Sequence, residues 1–363
     1  MKSLQTVAGE YPEDDIYNMD ETGLYWKMLP SRGLLSQHLP GVKKEKSRVS
    51  LGICVNATGS DRRPIWVIGK YKTPRALQGV SVTTMGGRWR WNKKAWMNTT
   101  IMCEWLQEFY QHIGTVRQVL LTMDNFSAHY SAIEICPPPP NIRVCWLPAN
   151  STSRYQPLNQ GIIQNLKAYY RRHWLQFTLQ SIEEGNSVNS GMNIRLAIRW
   201  IIRSWHNQVS NTTIYNCFRK STLVSSPITL PTPIIPAGLS ELYTEVVRAG
   251  NIQDAMAISN FLNPAGEDDE EDEAVDQESI LQDVLGEHLG VENEEDAEED
   301  EQPGEYIYTA KEAYNAVQVL INYTEHQDSL TADYLRVLER LETAVKGLQE
   351  QGRQQSPQDG WLM

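Results

Sequence analysis

The stretch QVLLTMDNFSAH (Gln118–His129) sets the reading of the whole chain. Its first six residues form a nearly continuous apolar run that stops on Asp124, as a strand buried on both faces of a sheet does. A carboxylate at the rim of an apolar core needs a cation or a hydrogen-bond donor to stay ionised. The segment DIYNMDETGLYWKML (Asp15–Leu29) repeats the arrangement: a short strand reaches Asp20, and a turn is expected at Gly23. Two aspartates ending neighbouring strands repel each other unless a divalent cation lies between them. Mg2+ bound by one or two carboxylates, waters and substrate phosphates suits metal-assisted phosphoryl chemistry. The other reading has each aspartate capping a local turn, Asp20 before Glu21-Thr22-Gly23 and Asp124 before Asn125.

Outward from these strands, residues 48–57 (RVSLGICVNA) and 64–69 (PIWVIG) alternate around Thr58-Gly59-Ser60-Asp61, which is turn chemistry, so a hairpin is predicted. Residues 99–113 place Ile101, Trp105, Leu106 and Phe109 at helical spacing. Ile142–Leu147 reads as another strand. After the polar loop Pro148–Tyr155, helices are predicted from about Leu158 to Leu179 and over 193–209, the second with Ile194, Ala197, Ile198, Ile201, Ile202 and Trp205 on one face. The order of elements predicts an α/β sheet with helices packed against it.

Charge divides the chain of 363 residues. Its net charge of −12 joins a body (1–260) with 28 basic and 17 acidic side chains to a tail (261–363) with 5 basic and 28 acidic ones. A basic body carrying an acidic tail points toward nucleic acid. No apolar run approaches the ~20 residues that span a bilayer, so no membrane partner is expected, and the N-terminus shows no apolar signal core. Five scattered cysteines without CxxC spacing suit a reducing compartment and argue against a zinc ribbon. Residues 221–262 read as a proline-rich linker with a short helix, and 263–305 as an acidic disordered segment whose blocks Glu267–Glu273 and Glu292–Glu301 repel themselves. Residues 306–350 read as helical with a break near His326–Ser329, and 351–363 as a disordered C-terminus. Tyr334, Val337, Leu341, Ala344 and Leu348 form a two-heptad stripe, open to a helical hairpin or to self-association through 330–348.

The ordered series NMDETG (Asn18–Gly23), WVIGK (Trp66–Lys70), LTMDNFSAH (Leu121–His129), LPANSTS (Leu147–Ser153), QPLNQG (Gln156–Gly161) and WHNQVSNTTIYNCF (Trp205–Phe218) resembles the DDE superfamily endonucleases of the pogo/Tigger transposase group, which includes jerky-like and centromere protein B-like proteins. The resemblance covers roughly residues 10–220. It implies an RNase H-like core over 1–220, a mixed sheet flanked by helices, in which three acidic residues bind two Mg2+ ions. It also implies DNA as partner and the nucleus as location. In that chemistry one ion activates water or a DNA 3′-hydroxyl, and the other stabilises the departing oxygen. Carried over by position, Asp20 and Asp124 are the first two metal ligands, and the third position is Asn159. Asn keeps a carbonyl oxygen but supplies no charge, so DNA strand cleavage and transfer are expected to be impaired. The alternative function is a domesticated, non-catalytic DNA-binding or interaction protein. Only 19 residues precede Asp20, so the paired helix-turn-helix domains usual in the family are not expected in this chain.

Three basic clusters are candidate DNA contacts, or else solvated faces: Lys43, Lys44, Lys46 and Arg48; Arg90, Lys93 and Lys94 interleaved with Trp89, Trp91 and Trp96; and Lys167, Arg171 and Arg172 on the helix flanking the metal site. His129 reads either as a donor behind the metal ligands or as a packed structural histidine. No Ser/His/Asp arrangement supports a hydrolase triad.

Overall fold

The chain is described here from a computed structural model, over residues 2–30, 47–148, 152–225, 235–268, 310–325 and 337–347. Six segments rich in β-branched and aromatic residues form one sheet: β1 (Ile16–Tyr25), β2 (Arg48–Asn56), β3 (Ile65–Gly69), β4 (Gly87–Trp91), β5 (Val119–Met123) and β6 (Ile142–Trp146). Their spatial order is β4-β3-β2-β1-β5-β6. β2 runs antiparallel to β1 and β3, and all other pairs are parallel. A meander of three strands followed by parallel strands on the far side of β1 is the RNase H-like arrangement.

Helices cover both faces: α1 (Lys2–Ala8), α2 (Thr99–Ile113), α3 (Ser127–Ile135), α4 (Thr152–Tyr155), α5 (Ile162–Glu183), α6 (Val188–Gly191), α7 (Ile194–Arg203), α8 (Asn211–Lys220), α9 (Leu239–Ala249) and α10 (Ile258–Leu262). Strand alternation sorts the side chains. Tyr17 and Met19 of β1, with Leu121 and Met123 of β5, pack with Trp105, Leu106 and Phe109 of α2. Ile16 and Leu24 of β1, with Leu120 of β5, pack on the opposite side with Leu166, Tyr170 and Trp174 of α5. By the same alternation Asp20 and Thr22 belong to the α5 side and Glu21 to the α2 side.

Several elements depart from the sequence reading. The basic, tryptophan-rich stretch 87–91 is the edge strand β4. The predicted helix at Leu158 begins instead as a 3-10 turn (Leu158–Gln160). It is broken at Gly161, whose φ of 140° suits glycine, before α5 starts. Residues 239–249 and 258–262 are not linker: Leu239, Val246, Phe261 and Leu262 are buried in the α5-side core. Leu239, Tyr243 and Val246 recur at helical spacing, which gives α9 an apolar face to bury. A second compact unit begins near residue 303, where Ala310–Glu325 and 337–347 are helical. The expected break at His326–Ser329, the loop lysines Lys43, Lys44 and Lys46, and most of the acidic segment lie outside the described residues.

The expected turn at Gly23 is instead continuous strand, because β1 stays paired with β2 as far as Tyr25 while it outruns β5 on its other edge. β5 pairs with β1 only over Ile16–Asn18, which leaves the later part of that edge to find other partners. Residues of the acidic segment fill it. Gly23 N donates to Asp268 Oδ1 at 2.9 Å, and Tyr25 N donates to Glu267 Oε1 at 2.7 Å. Closer to Asp20, Glu21 N donates to Asp20 Oδ1 at 2.9 Å. A Cβ on Gly23 would lie 1.8 Å from the Glu267 carbonyl oxygen, so glycine is required by this close approach. Gly23→Ala is therefore expected to destabilise the chain by about 1–3 kcal/mol, measured by chemical denaturation; stability equal to the parent would contradict the docking of residues 267–268 on β1.

Candidate metal and nucleic-acid site

Asn18 and Thr122 are the last register pair of the parallel strands β1 and β5, and two residues beyond it Asp20 and Asp124 lie close enough for their charges to interact. Asn18 is fully buried and fixes this geometry through both ends of its amide. Nδ2 donates to the Thr122 carbonyl at 3.0 Å, and Oδ1 accepts from Leu158 N at 3.1 Å. Gln156 Nε2 adds a bond to the Met19 carbonyl at 3.4 Å. The 3-10 turn carrying Asn159 is thus tied to β1 immediately before Asp20. Asn159 itself is exposed, and its side chain donates to Gln156 Oε1 at 3.4 Å. Sequence reasoning passed over Asn18; its signal was a polar amide inside an otherwise apolar strand.

Asp20 is buried, and Oδ2 has no hydrogen-bond partner. Burial, reinforced by the nearby Glu21 and Asp124 carboxylates, pushes its carboxyl well above the usual range. Burial also raises Asp124, but His129 and the Phe126 N–H outweigh it and hold that carboxyl below its ordinary value. His129 is wholly buried between two carboxylates, with Nε2 3.1 Å from Glu21 Oε1 and Nδ1 2.8 Å from Asp124 Oδ1. The second contact acts through charge, since the Nδ1–H is not aligned as a hydrogen bond. Burial opposes the imidazolium, yet Glu21 and Asp124 hold its pKa up at about 11. His129 is therefore a charge partner of Asp124, and Glu21, on the other face of β1, belongs to that pair rather than to the metal position.

A buried carboxylate oxygen without a donor, beside a second carboxylate, is a donor set that fits a divalent cation. Asp20 and Asp124 supply the charge, and Asn159 can add a neutral carbonyl oxygen. Among the described residues no cluster of three or more His, Cys, Asp or Glu side chains is arranged to hold a metal ion. Two anionic ligands fit one ion better than two.

The candidate cations occupy different environments. Arg48 stacks on Trp96, 5.0 Å from its ring centroid, and donates to the Lys94 carbonyl at 3.3 Å. Lys93 and Lys94 are exposed beside it. Arg90 is ion-paired with Glu104 and lies over the Trp66 ring. Lys167 and Arg171, read from sequence as flanking DNA contacts, are only 1% and 0% exposed and are spent on an internal anion: Lys167 Nζ is 2.9 Å and Arg171 Nη2 2.5 Å from Glu267. Helical periodicity turns both toward β1, while Arg172 stays half-buried on the next position. Lys167 and Arg171 are corrected from surface contacts to buried ion-pair partners. Glu267 was missed because it opens a run of seven acidic residues and nothing local distinguishes it.

The family model described as DDE superfamily endonuclease matches residues 46–218. CENP-B homolog protein 2 of Schizosaccharomyces pombe is 36% identical over 355 residues, spanning 93% of this chain and 66% of that protein. The chain belongs to the DDE superfamily endonuclease family. Its relatives there include the Tigger transposable element-derived and jerky proteins, so it is transposase-derived in type. ARS-binding protein 1 of the same yeast is 32% identical, over 86% of this chain and 60% of that protein. The chain thus spans about two thirds or less of the length of these curated relatives. The Mos1 strand transfer complex crystal structure aligns at a TM-score of 0.35 with 10% identity, over 69% of this chain and 60% of that one. Within this DDE domain the segment Trp205–Phe218 is architectural: the Trp205 indole donates to the Arg63 carbonyl at 3.1 Å, and Arg62 lies 5.5 Å from its ring centroid. No helix among the described residues is long and apolar enough to cross a membrane.

The His129 pair has a pH consequence. Its folded pKa of about 11 lies above the ordinary histidine value of 6.5, so the stabilisation is fully present below about pH 6.5 and is lost as pH rises toward 11. In metal-free protein, His129→Gln should lower stability in the acid-to-neutral range and flatten the alkaline decline, as read from denaturation midpoints against pH. A variant whose pH profile runs parallel to the parent's would contradict the ion pair.

Proposed function

We propose that this chain is a DNA-associating DDE-domain protein that works in the nucleus and whose strand-cleavage and transfer site is impaired at Asn159. The observation that carries the reading is the Asp20–Asp124 pair just beyond the last β1–β5 register pair, with its partnerless Asp20 oxygen, next to a turn that offers Asn where a third carboxylate is required. Mg2+ held there by Asp20 and Asp124, with the Asn159 carbonyl as a neutral ligand, would polarise a phosphodiester and activate a hydroxyl nucleophile. Asn18 and Gln156 keep the ligand-bearing segments in place, and His129 keeps Asp124 ionised and oriented. With only two carboxylates, the second ion of a two-ion site would be held by too little charge.

Asn159→Asp is expected to raise Mg2+-dependent nicking of duplex DNA by at least about tenfold, the equivalent of about 1.4 kcal/mol of barrier, in a supercoiled-plasmid assay. Unchanged activity in a variant that folds normally would remove the claim that Asn159 limits catalysis.

A second reading, association with DNA without cleavage, is favoured by the same Asn159 together with the imidazolium already engaging Asp124. The exposed Lys93 and Lys94, half-buried Arg172 and the loop lysines Lys43, Lys44 and Lys46 supply the backbone contacts. Affinity should then fall with salt, log Kobs against log salt having a slope of about −0.9 per phosphate neutralised. Binding undetectable at low salt would reject both readings. Self-association through 330–348 fits the exposed Val337 and Leu341 on the helix 337–347.

A further inference from the structure

Among the described residues, the acidic segment meets the folded domain through Glu267 and Asp268, and these two docked carboxylates are not equivalent. Glu267 is fully buried between Lys167 and Arg171. Asp268 is 52% exposed. Its Oδ1 accepts from the Thr22 hydroxyl at 2.7 Å and from Gly23 N at 2.9 Å, and both its oxygens lie 3.2 Å from Lys167 Nζ. Counted as charges, Lys167 and Arg171 against Glu267 leave one positive charge, and Asp268 neutralises it. An ammonium, a backbone N–H and a hydroxyl converging from a strand and a helix are the donors that a singly charged phosphodiester oxygen pair requires. The cluster lies on the Asp20 side of β1, with Thr22 two residues along the strand from Asp20.

We infer that Lys167, Thr22 and the Gly23 amide form a phosphodiester-binding subsite beside Asp20, which Asp268 occupies in cis. Glu267 remains in place as the permanent counter-ion of Arg171, while Asp268, half in solvent, exchanges with a DNA phosphate. The acidic segment thereby starts as a plug in the same domain that it follows. The inference deepens the DNA-association reading, but the subsite itself needs no DNA to be tested.

The full chain carrying Asp268→Ala provides the test, with inorganic phosphate and duplex DNA as separate probes. Millimolar phosphate should raise the melting temperature of Asp268→Ala more than that of the parent, and adding Thr22→Val should cancel the difference. DNA affinity should rise several-fold at low salt, with a log–log salt slope steeper by about 0.9, one additional phosphate. Phosphate acting equally on parent and Asp268→Ala would overturn the subsite even where both bind DNA. Phosphate selectivity without DNA binding would uphold the subsite and reject the DNA reading. Hydrogen exchange on the unmodified chain gives a check independent of any variant. The Asp268 amide should exchange faster when phosphate or DNA is added while that of Glu267 keeps its protection, and unchanged exchange at Asp268 at saturating ligand would overturn its displacement.

Discussion

The structure depends on a mismatch in length between two neighbouring strands. β1 runs for ten residues and β5 for five, and they pair over three. Parallel pairing fixes where β5 must end, because slipping it by one residue would exchange the core face for the other on every side chain. The strand that ends first leaves a notch along β1, and the chemistry of the molecule collects there. Asp20 sits where pairing stops, Asp124 sits where β5 stops, and Asn18 ties both strands to the turn that carries Asn159.

Backbone donors in such a notch cannot remain unpartnered without a cost comparable to a lost hydrogen bond. Carboxylates supply the partners, from Asp20 itself and from Glu267 and Asp268. Lys167 and Arg171 make the burial of Glu267 tolerable on the α5 side, and the His129 imidazolium offsets Glu21 and Asp124 on the α2 side. Asp20 alone has no such partner for one of its oxygens. Among the described residues of this neighbourhood the other buried carboxylates are matched by a donor or a cation, and the proposed metal reading rests on that one unmatched oxygen.

Much of this was legible in the sequence. The apolar run ending on Asp124, the hairpin around Thr58–Asp61 and the helices over 99–113 and 193–209 follow from local periodicity, which the tertiary fold did not override. The ordered motifs gave the RNase H-like core. What stayed hidden was set by contacts distant in sequence. Gly23 resembles a turn glycine until the Glu267 backbone is seen against it. Lys167 and Arg171 resemble a solvated basic face until helix phase turns them inward. Glu267 is indistinguishable within its acidic run. The basic body and acidic tail, separable by charge count, meet among the described residues at a buried ion-pair cluster.

On the proposed reading, the notch should hold a divalent cation between Asp20 and Asp124. Mn2+ binding followed by electron paramagnetic resonance tests it most directly, on the full chain and on Asp20→Asn at neutral pH. One bound ion per chain, lost in Asp20→Asn while the variant keeps its fold, is the predicted result. Mn2+ binding of equal stoichiometry and affinity in both proteins, or none in the parent, would contradict the account.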